Sequence, residues 1–251
     1  MVVELISVGT ELLLGNIVNT NAQFLAEKCA SLGLSMYHQV TVGDNRERLA
    51  EDINTALQRA DIIILTGGLG PTEDDITKEV CAEVMGFKLV EDPHTRERIE
   101  TYFKNSIYPV ITENNWKQAL IPEGCKVLDN HNGTAPGLIL EKAGKAAILL
   151  PGPFNELKPL FLDAVSPYLQ ELQPEVIRSQ MIKICGHGES QVADQIKDLI
   201  AAQTNPTIAP YAKTAEVHLR VTARAADDET AKSLIKPGVK EIKNRFGDDI
   251  Y

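Results

Sequence analysis

What this sequence lacks narrows it more than what it contains. It has no excess of positive charge: 25 Lys and Arg stand against 35 Asp and Glu, a net of −10. Aromatic residues make up only 5%. An acidic chain with few stacking rings is a poor general binder of nucleic acid or of an anionic membrane, so neither is expected as a partner. No apolar stretch approaches the roughly 18 residues that mark a membrane span. The chain runs from Met1 into the strand-like Val2 to Val8 with no basic leader, so no signal peptide is expected. The four cysteines, Cys29, Cys81, Cys125 and Cys185, form no Cys-x-x-Cys pair. That fits structural thiols in a reducing compartment, and a cytoplasmic location is expected.

Missing motifs prune the chemistry further. There is no G-x-x-x-x-G-K-[ST], no G-x-G-x-x-G and no G-x-S-x-G elbow. His38, His94, His131, His187 and His218 show neither H-E-x-x-H nor zinc-finger spacing. Nucleophilic triads and zinc hydrolysis lose most of their weight.

What is present begins with Ile62 to Leu65, an apolar run short enough for a buried parallel strand. Gly67, Gly68 and Gly70 follow, and Thr72 opens a segment read as a helix to Met85 with acids in its first turn. Strand, glycine turn and helix start together make a recipe for anion binding. A tight turn with no ligand is the plainer reading of the same glycines.

Upstream, Val2 to Val8 reads as a strand, Ala22 to Leu32 as a helix capped among Asn19, Thr20 and Asn21, Leu34 to Val42 as a strand and Leu49 to Ala60 as a helix. The resulting β-α-β-α-β-α order predicts an α/β fold: a mostly parallel sheet with helices on both faces and ligands beyond the carboxyl ends of its strands. The Gly9, Asp44 and Gly67 turns would share that end.

Residues 93–120 suggest two helices broken at Pro109. Residues 129–137 read as a polar loop, 138–150 as a hairpin around Gly144, and 155–169 as a helix. Pro174 marks a boundary, giving one domain over 1–171 and another over 172–251. The second reads as strand 179–185, helix 189–203, strand 215–224 and helix 227–246, a small α+β module. Residues 171–251 carry eleven Lys and Arg against twelve Asp and Glu, leaving 14 against 23 for the remainder. The acidity lies in the first domain, where a carboxylate-rich phosphate site would need a divalent cation to offset repulsion.

The carboxylates have local readings and functional ones. Asp75, three residues after Thr72, fits a capping box. Asp74 fits a solvated first-turn acid, Asp44 a cap ahead of Glu47, and Glu11 a surface acid. The functional reading brings Asp44 and Asp75 together across adjacent strand ends to hold a metal or polarise a water. Gly133 and Thr134 could supply a second phosphate contact, and the Gly152 backbone another wall.

These residues carry a resemblance. Residues 66–77, TGGLGPTEDDIT, are similar to the T-G-G-x-G signature of molybdopterin-binding domains of the MogA, MoaB and MoeA type, and residues 150–158, LPGPFNELK, to their L-P-G-x-P segment. The fuller match is to the CinA family, through GTELLLG at 9–15, NTN at 19–21, VGD at 42–44, GTAPG at 133–137, GHGES at 186–190, NPTIAPY at 205–211 and EVHLR at 216–220.

The resemblance implies a three-layer α/β/α molybdopterin-binding-like fold followed by a KH-like module. It implies metal-dependent hydrolysis of ADP-ribose to AMP and ribose 5-phosphate, with a divalent ion of the magnesium or cobalt class as cofactor and a homodimer as the assembly. Asp44, Asp75 and Glu11 are the catalytic candidates. Asp44, Asp74 and Asp75 are the metal candidates. Gly67, Gly68, Gly70, Thr72, Asn19, Gly133, Thr134 and Gly152 are the substrate candidates. The family's carboxyl-terminal amidase domain has no counterpart here, so a shortened chain or a two-domain member is expected.

Two departures stand out. Phe154 takes the place of a usual proline, and the 186–188 segment is not the GXXG loop of RNA-binding KH domains. Two further readings stay open: a molybdopterin-handling protein, and a non-catalytic platform for dimerisation and regulation of an absent amidase.

Overall fold

The computed structural model describes residues 1–106 and 109–251. They divide into two compact units, one of Met1–Ala30 and Leu34–Glu171, the other of Ser31–Gly33 and Leu172–Tyr251.

In chain order the first unit contains β1 (Val2–Val8), α1 (Thr10–Leu13), α2 (Thr20–Ser31), β2 (Ser35–Val42), α3 (Arg46–Arg59), β3 (Ile62–Thr66) and α4 (Thr77–Met85). It continues with β4 (Leu89–Glu91), α5 (Pro93–Lys104), β5 (Leu120–Pro122), β6 (Lys126–Leu128), β7 (Gly137–Lys142), β8 (Lys145–Leu150), α6 (Phe154–Leu160) and α7 (Ser166–Leu172). The six-stranded sheet runs β2-β1-β3-β8-β7-β6. β2, β1, β3 and β8 are parallel; β7 runs antiparallel to both of its neighbours, β8 and β6.

Sequence pattern explains the layers. β3 is buried along its whole length, as a strand covered on both faces must be. Its Ile63 and Leu65 pack with Leu49, Ile53 and Ala56 of α3 and Val80 and Cys81 of α4. Alternation sends the buried Ile62 and Ile64 to the opposite face. Leu25 and Cys29 of α2, and Leu157, Phe161 and Leu169 of the 154–172 helical run, are also buried. Burial pushes the Cys29 and Cys81 thiols up to about 12, which leaves them packing groups.

Register aligns the strand ends: Val8 pairs with Val42, Ser7 with Thr66 and Thr66 with Leu150. The loops after β1, β2, β3 and β8 therefore leave the sheet at one edge. The loop entering β7 reaches the same edge, because antiparallel β7 starts beside the end of β8.

Several boundaries differ from expectation. Of the helix pair expected over 93–120, the first is α5 and the second is a tight three-residue-per-turn segment, Glu113–Ala119; its 107–108 portion lies outside the described residues. The short strands β4, β5 and β6 give too few residues for a period to show.

The second unit contains β9 (Val176–Cys185), α8 (Glu189–Gln195), α9 (Lys197–Ala202), β10 (Thr207–Lys213), β11 (Glu216–Ala225) and α10 (Asp228–Phe246). Its antiparallel sheet runs β10-β11-β9. Ile182, Ile184, Leu219, Val221, Ile235, Val239 and Ile242 belong to one core. The expected helix over 189–203 is two, separated at Ile196. β10 was not expected, because Pro206 and Pro210 argue against a strand; it sits at the sheet edge, where a missing N–H is tolerated.

Candidate functional site

The aligned strand ends surround a cleft of about 790 Å³, within the size range of small-molecule sites. Glu11, Asn19, Asp44, Gly67, Gly68, Gly70, Asp74, Asp75, Gly133, Thr134 and Gly152 all line it. Of the residues singled out from sequence, Thr72 alone is not on the lining.

The position of Thr72 follows from a misjudged helix start. α4 begins at Thr77, and residues 72–75 close on themselves. The Asp75 amide donates to the Thr72 carbonyl at 3.2 Å. Asp75 Oδ2 accepts from the Thr72 amide at 3.0 Å and from its hydroxyl at 2.5 Å. That hydroxyl also lies 2.5 Å from Asp74 Oδ1. Thr72 therefore links the two carboxylates from behind. Its hydroxyl is the first cause holding the Asp74 carboxyl below the usual range, with a backbone bond and the Lys117 charge adding to it.

Asp44 also escapes its expected cap. The N-cap of α3 is Asn45, which accepts from the Arg48 amide. Asp44 Oδ2 instead accepts from the Thr10 amide at 2.9 Å and the Thr10 hydroxyl at 2.8 Å, tying the loop after β2 to the loop after β1. Asp44 and Asp75 thus share one arrangement. Each is fixed through Oδ2 to a threonine, and neither Oδ1 has a hydrogen-bond partner among the described residues. Glu11 folds back over Gly9, where a Cβ would come within 2.7 Å of its Oε1.

The glycines have steric reasons as well as a place on the lining. Gly67 has φ +92° and abuts the Val8 carbonyl, 2.2 Å from where a Cβ would sit. Gly68 has φ +65° and lies against the Thr77 hydroxyl, 2.1 Å from that position. A Cβ on Gly70 would meet Asp75 Oδ2 at 2.4 Å, so Gly70 makes room for that carboxylate. Gly152 differs: only the Gly67 Cα lies near, at 3.6 Å, and its carbonyl accepts from Asn21 Nδ2 at 2.7 Å. Asn19 spends its side chain on the Ala22 amide, as the cap of α2, and on the Ser7 hydroxyl.

Glu156 was not found from sequence, because nothing in the 150–158 segment marks it as different from a surface acid. It lines the cleft, takes a hydrogen bond from Asn130 Nδ2 at 2.6 Å and lies beneath Gly133, 2.1 Å from where a Cβ would sit. Burial raises its carboxyl pKa, and the Asn130 bond opposes that.

Five carboxylates therefore line the cleft, and no Lys, Arg or His does among the described residues. Like charges at such density repel one another and any bare anion, and a cation would offset that repulsion. The donors are all hard oxygens, the class that binds magnesium-like ions. No group of three or more such side chains is assembled for a metal among the described residues. That matches the habit of magnesium, which takes one or two carboxylates and completes its shell with water and substrate phosphates. The residues present fit such an ion.

Comparison with known proteins gives three results. Residues 4–171 match the family model of a probable molybdopterin binding domain, and 179–251 that of the damage-inducible protein CinA KH domain. The chain is 54% identical over all 251 residues to a putative competence-damage inducible protein of Clostridium beijerinckii, and 51% identical over 251 residues to a CinA-like protein of Kosmotoga olearia. It spans 61% of the length of each. Among solved structures, a CinA protein of unknown function from Thermoplasma acidophilum is similar to 67% of this chain over 99% of its own, at 34% identity and a TM-score of 0.62.

Proposed function

The chain belongs to the CinA family, a molybdopterin-binding-like domain followed by a KH domain, and from that premise we propose that its first unit hydrolyses the diphosphate of ADP-ribose to AMP and ribose 5-phosphate. One observation carries the reading: a single cleft is lined by glycine backbone and five carboxylates, with no basic side chain among its described residues. Glycine backbone can approach a diphosphate closely without Cβ obstruction. The acidic wall demands that the diphosphate arrive with a divalent ion, which Asp44, Asp74 and Asp75 would hold. When bound, that ion supplies charge neutralisation at the phosphates and a more acidic water.

The chain's own residues do the rest. Thr10 and Thr72 fix Asp44 and Asp75 through Oδ2, so each Oδ1 would be available to a ligand. Gly67, Gly68 and Gly152 border the space for the phosphates, with Thr134 on the lining beside Gly133. Leu12, Ile17, Val18 and Phe154 give the cleft apolar surface against which a nucleoside can lie.

The experiment is incubation of the protein with ADP-ribose and Mg²⁺ or Co²⁺, with AMP as the readout. Wild type should release AMP, and Asp75→Asn should lose at least about tenfold, the scale of a lost metal-site ligand contact. A second reading, binding of molybdopterin, is favoured by the family model over residues 4–171. Tight molybdopterin binding without AMP release would select it.

A further inference from the structure

The loop that presents Asp74 and Asp75 is held by distant residues as well as by its own short-range bonds. Lys117 Nζ donates to the Thr72 carbonyl at 2.7 Å and to the Asp75 carbonyl at 2.5 Å. The adjacent Gln118 Nε2 donates to the Leu69 carbonyl at 3.1 Å. Two consecutive side chains, 42 to 49 residues further along the chain, thus take three carbonyls of the glycine-acid loop.

That clamp is itself anchored. Thr112 and Asn115 cap the Glu113–Ala119 turn, and the Arg96 guanidinium lies over the Trp116 ring at 4.0 Å. Lys78 Nζ donates to the Lys117 carbonyl at 2.5 Å. Lys78 is 6% exposed, and burial lowers its pKa while Glu79, 3.6 Å away, opposes that. Burying an ammonium is costly, and this one is spent on orienting the backbone of a second lysine. Gln118, at 2% exposed, is as deeply set.

Lys117 is also the missing charge. Among the described residues the cleft lining has no cation, yet the Lys117 ammonium bonds to the carbonyls of the acidic loop. It bonds to backbone carbonyls and so offsets the field of Asp74 and Asp75 while leaving the Oδ1 of Asp75 unoccupied.

We propose that Lys117 is a positioning residue: its two carbonyl bonds fix the 72–75 turn so that Asp74 and Asp75 are presented side by side, before any ligand arrives, to the divalent cation that accompanies a diphosphate. The inference rests on the reading of the cleft as a cation-assisted diphosphate site. A loop ordered in advance loses less freedom on binding than one that must be ordered by the ligand.

The test compares Lys117→Met, which keeps the stem and loses the donors, with Lys117→Arg, which keeps charge and donors, after circular dichroism shows both folded. Hydrogen exchange of the peptide covering 66–76 is measured without metal, and Mn²⁺ binding is followed by electron paramagnetic resonance with inorganic pyrophosphate present. Lys117→Met should exchange faster in that peptide alone and bind Mn²⁺ about 10- to 100-fold more weakly, the usual cost of an outer-shell partner. Lys117→Arg should recover most of both. With ADP-ribose, the Met variant should need more metal for half-maximal turnover while its KM at saturating metal stays near wild type.

Unchanged exchange and unchanged Mn²⁺ affinity in Lys117→Met would overturn the proposal, as would an Arg variant as impaired as the Met variant. Should Lys117→Met not fold, Lys117→Gln takes its place in the same comparison. Wild-type protein that releases no AMP, alongside a loop that loosens as expected in Lys117→Met, would refute the ADP-ribose reading and leave the positioning role standing.

Discussion

Gly67 and Gly152 both border the candidate phosphate space, but a methyl group would do different things at each. At Gly67 it would strike the Val8 carbonyl from a left-handed backbone, so Gly67→Ala should cost at least about 1–3 kcal/mol. At Gly152 there is ordinary van der Waals room. Gly152→Ala should match wild type in a urea titration and raise the KM for ADP-ribose, about tenfold for one intrusive methyl. A Gly67→Ala protein as stable as wild type would contradict the close packing.

Glu156 gives a pH-dependent prediction. Its folded pKa lies above the ordinary 4.5, chiefly from burial. A raised carboxyl favours the protonated form in the fold, so its contribution is fully present below the unfolded pKa and is lost as pH rises through the folded one. Glu156→Gln should therefore raise the urea midpoint at about pH 7 and leave it unchanged at about pH 3, below the ordinary carboxylate range. Equal midpoints at both would show that the Glu156 environment is not desolvating. At this scale the sequence was readable where a place on the cleft rests on residue type. Gly67, Gly68, Gly70, Asp74 and Asp75, all close after Ile62–Leu65, line one cleft. Glu156 and Lys117 were not readable, because what defines them is contact with Asn130, Gly133, Thr72 and Asp75, across 23 to 45 residues.

At the scale of elements, the two acids had local readings that the structure replaces. T-x-x-D at 72–75 satisfies a capping-box pattern, yet the helix opens five residues later because the turn's own Thr72–Asp75 bonds close it first. Asp44 with Glu47 offered a second cap, one residue out of register with the true one, Asn45 and the Arg48 amide. Asn45→Ala should thus cost about 1 kcal/mol in thermal or urea unfolding, the ordinary worth of an N-cap. Asp44→Ala should cost helix α3 nothing through capping and act instead through Thr10. If the two substitutions exchanged their effects, the register of α3 would be wrong. β3 was legible because burial on both faces makes Ile62 to Leu65 uniformly apolar. β10 was not, because edge position, which excuses Pro210, is a property of the sheet and not of the segment.

At the scale of the molecule, charge organises the account. The negative excess belongs to residues 1–170, and within the first unit the cleft gathers five carboxylates. Such a cleft disfavours a bare anion, which is why the proposed diphosphate is taken to arrive with a cation. No helix among the described residues is long and apolar enough to cross a membrane. The chain covers 61% of the length of its closer curated relatives, and the first unit contains every residue assigned to the cleft.

The central claim is therefore best tested on this chain alone, by following AMP release from ADP-ribose as divalent metal is titrated in. The account predicts AMP and ribose 5-phosphate in equal amounts, none with a chelator present, and a loss of at least about tenfold in Asp75→Asn. No AMP at any metal concentration, or an Asp75→Asn protein as active as wild type, would contradict it.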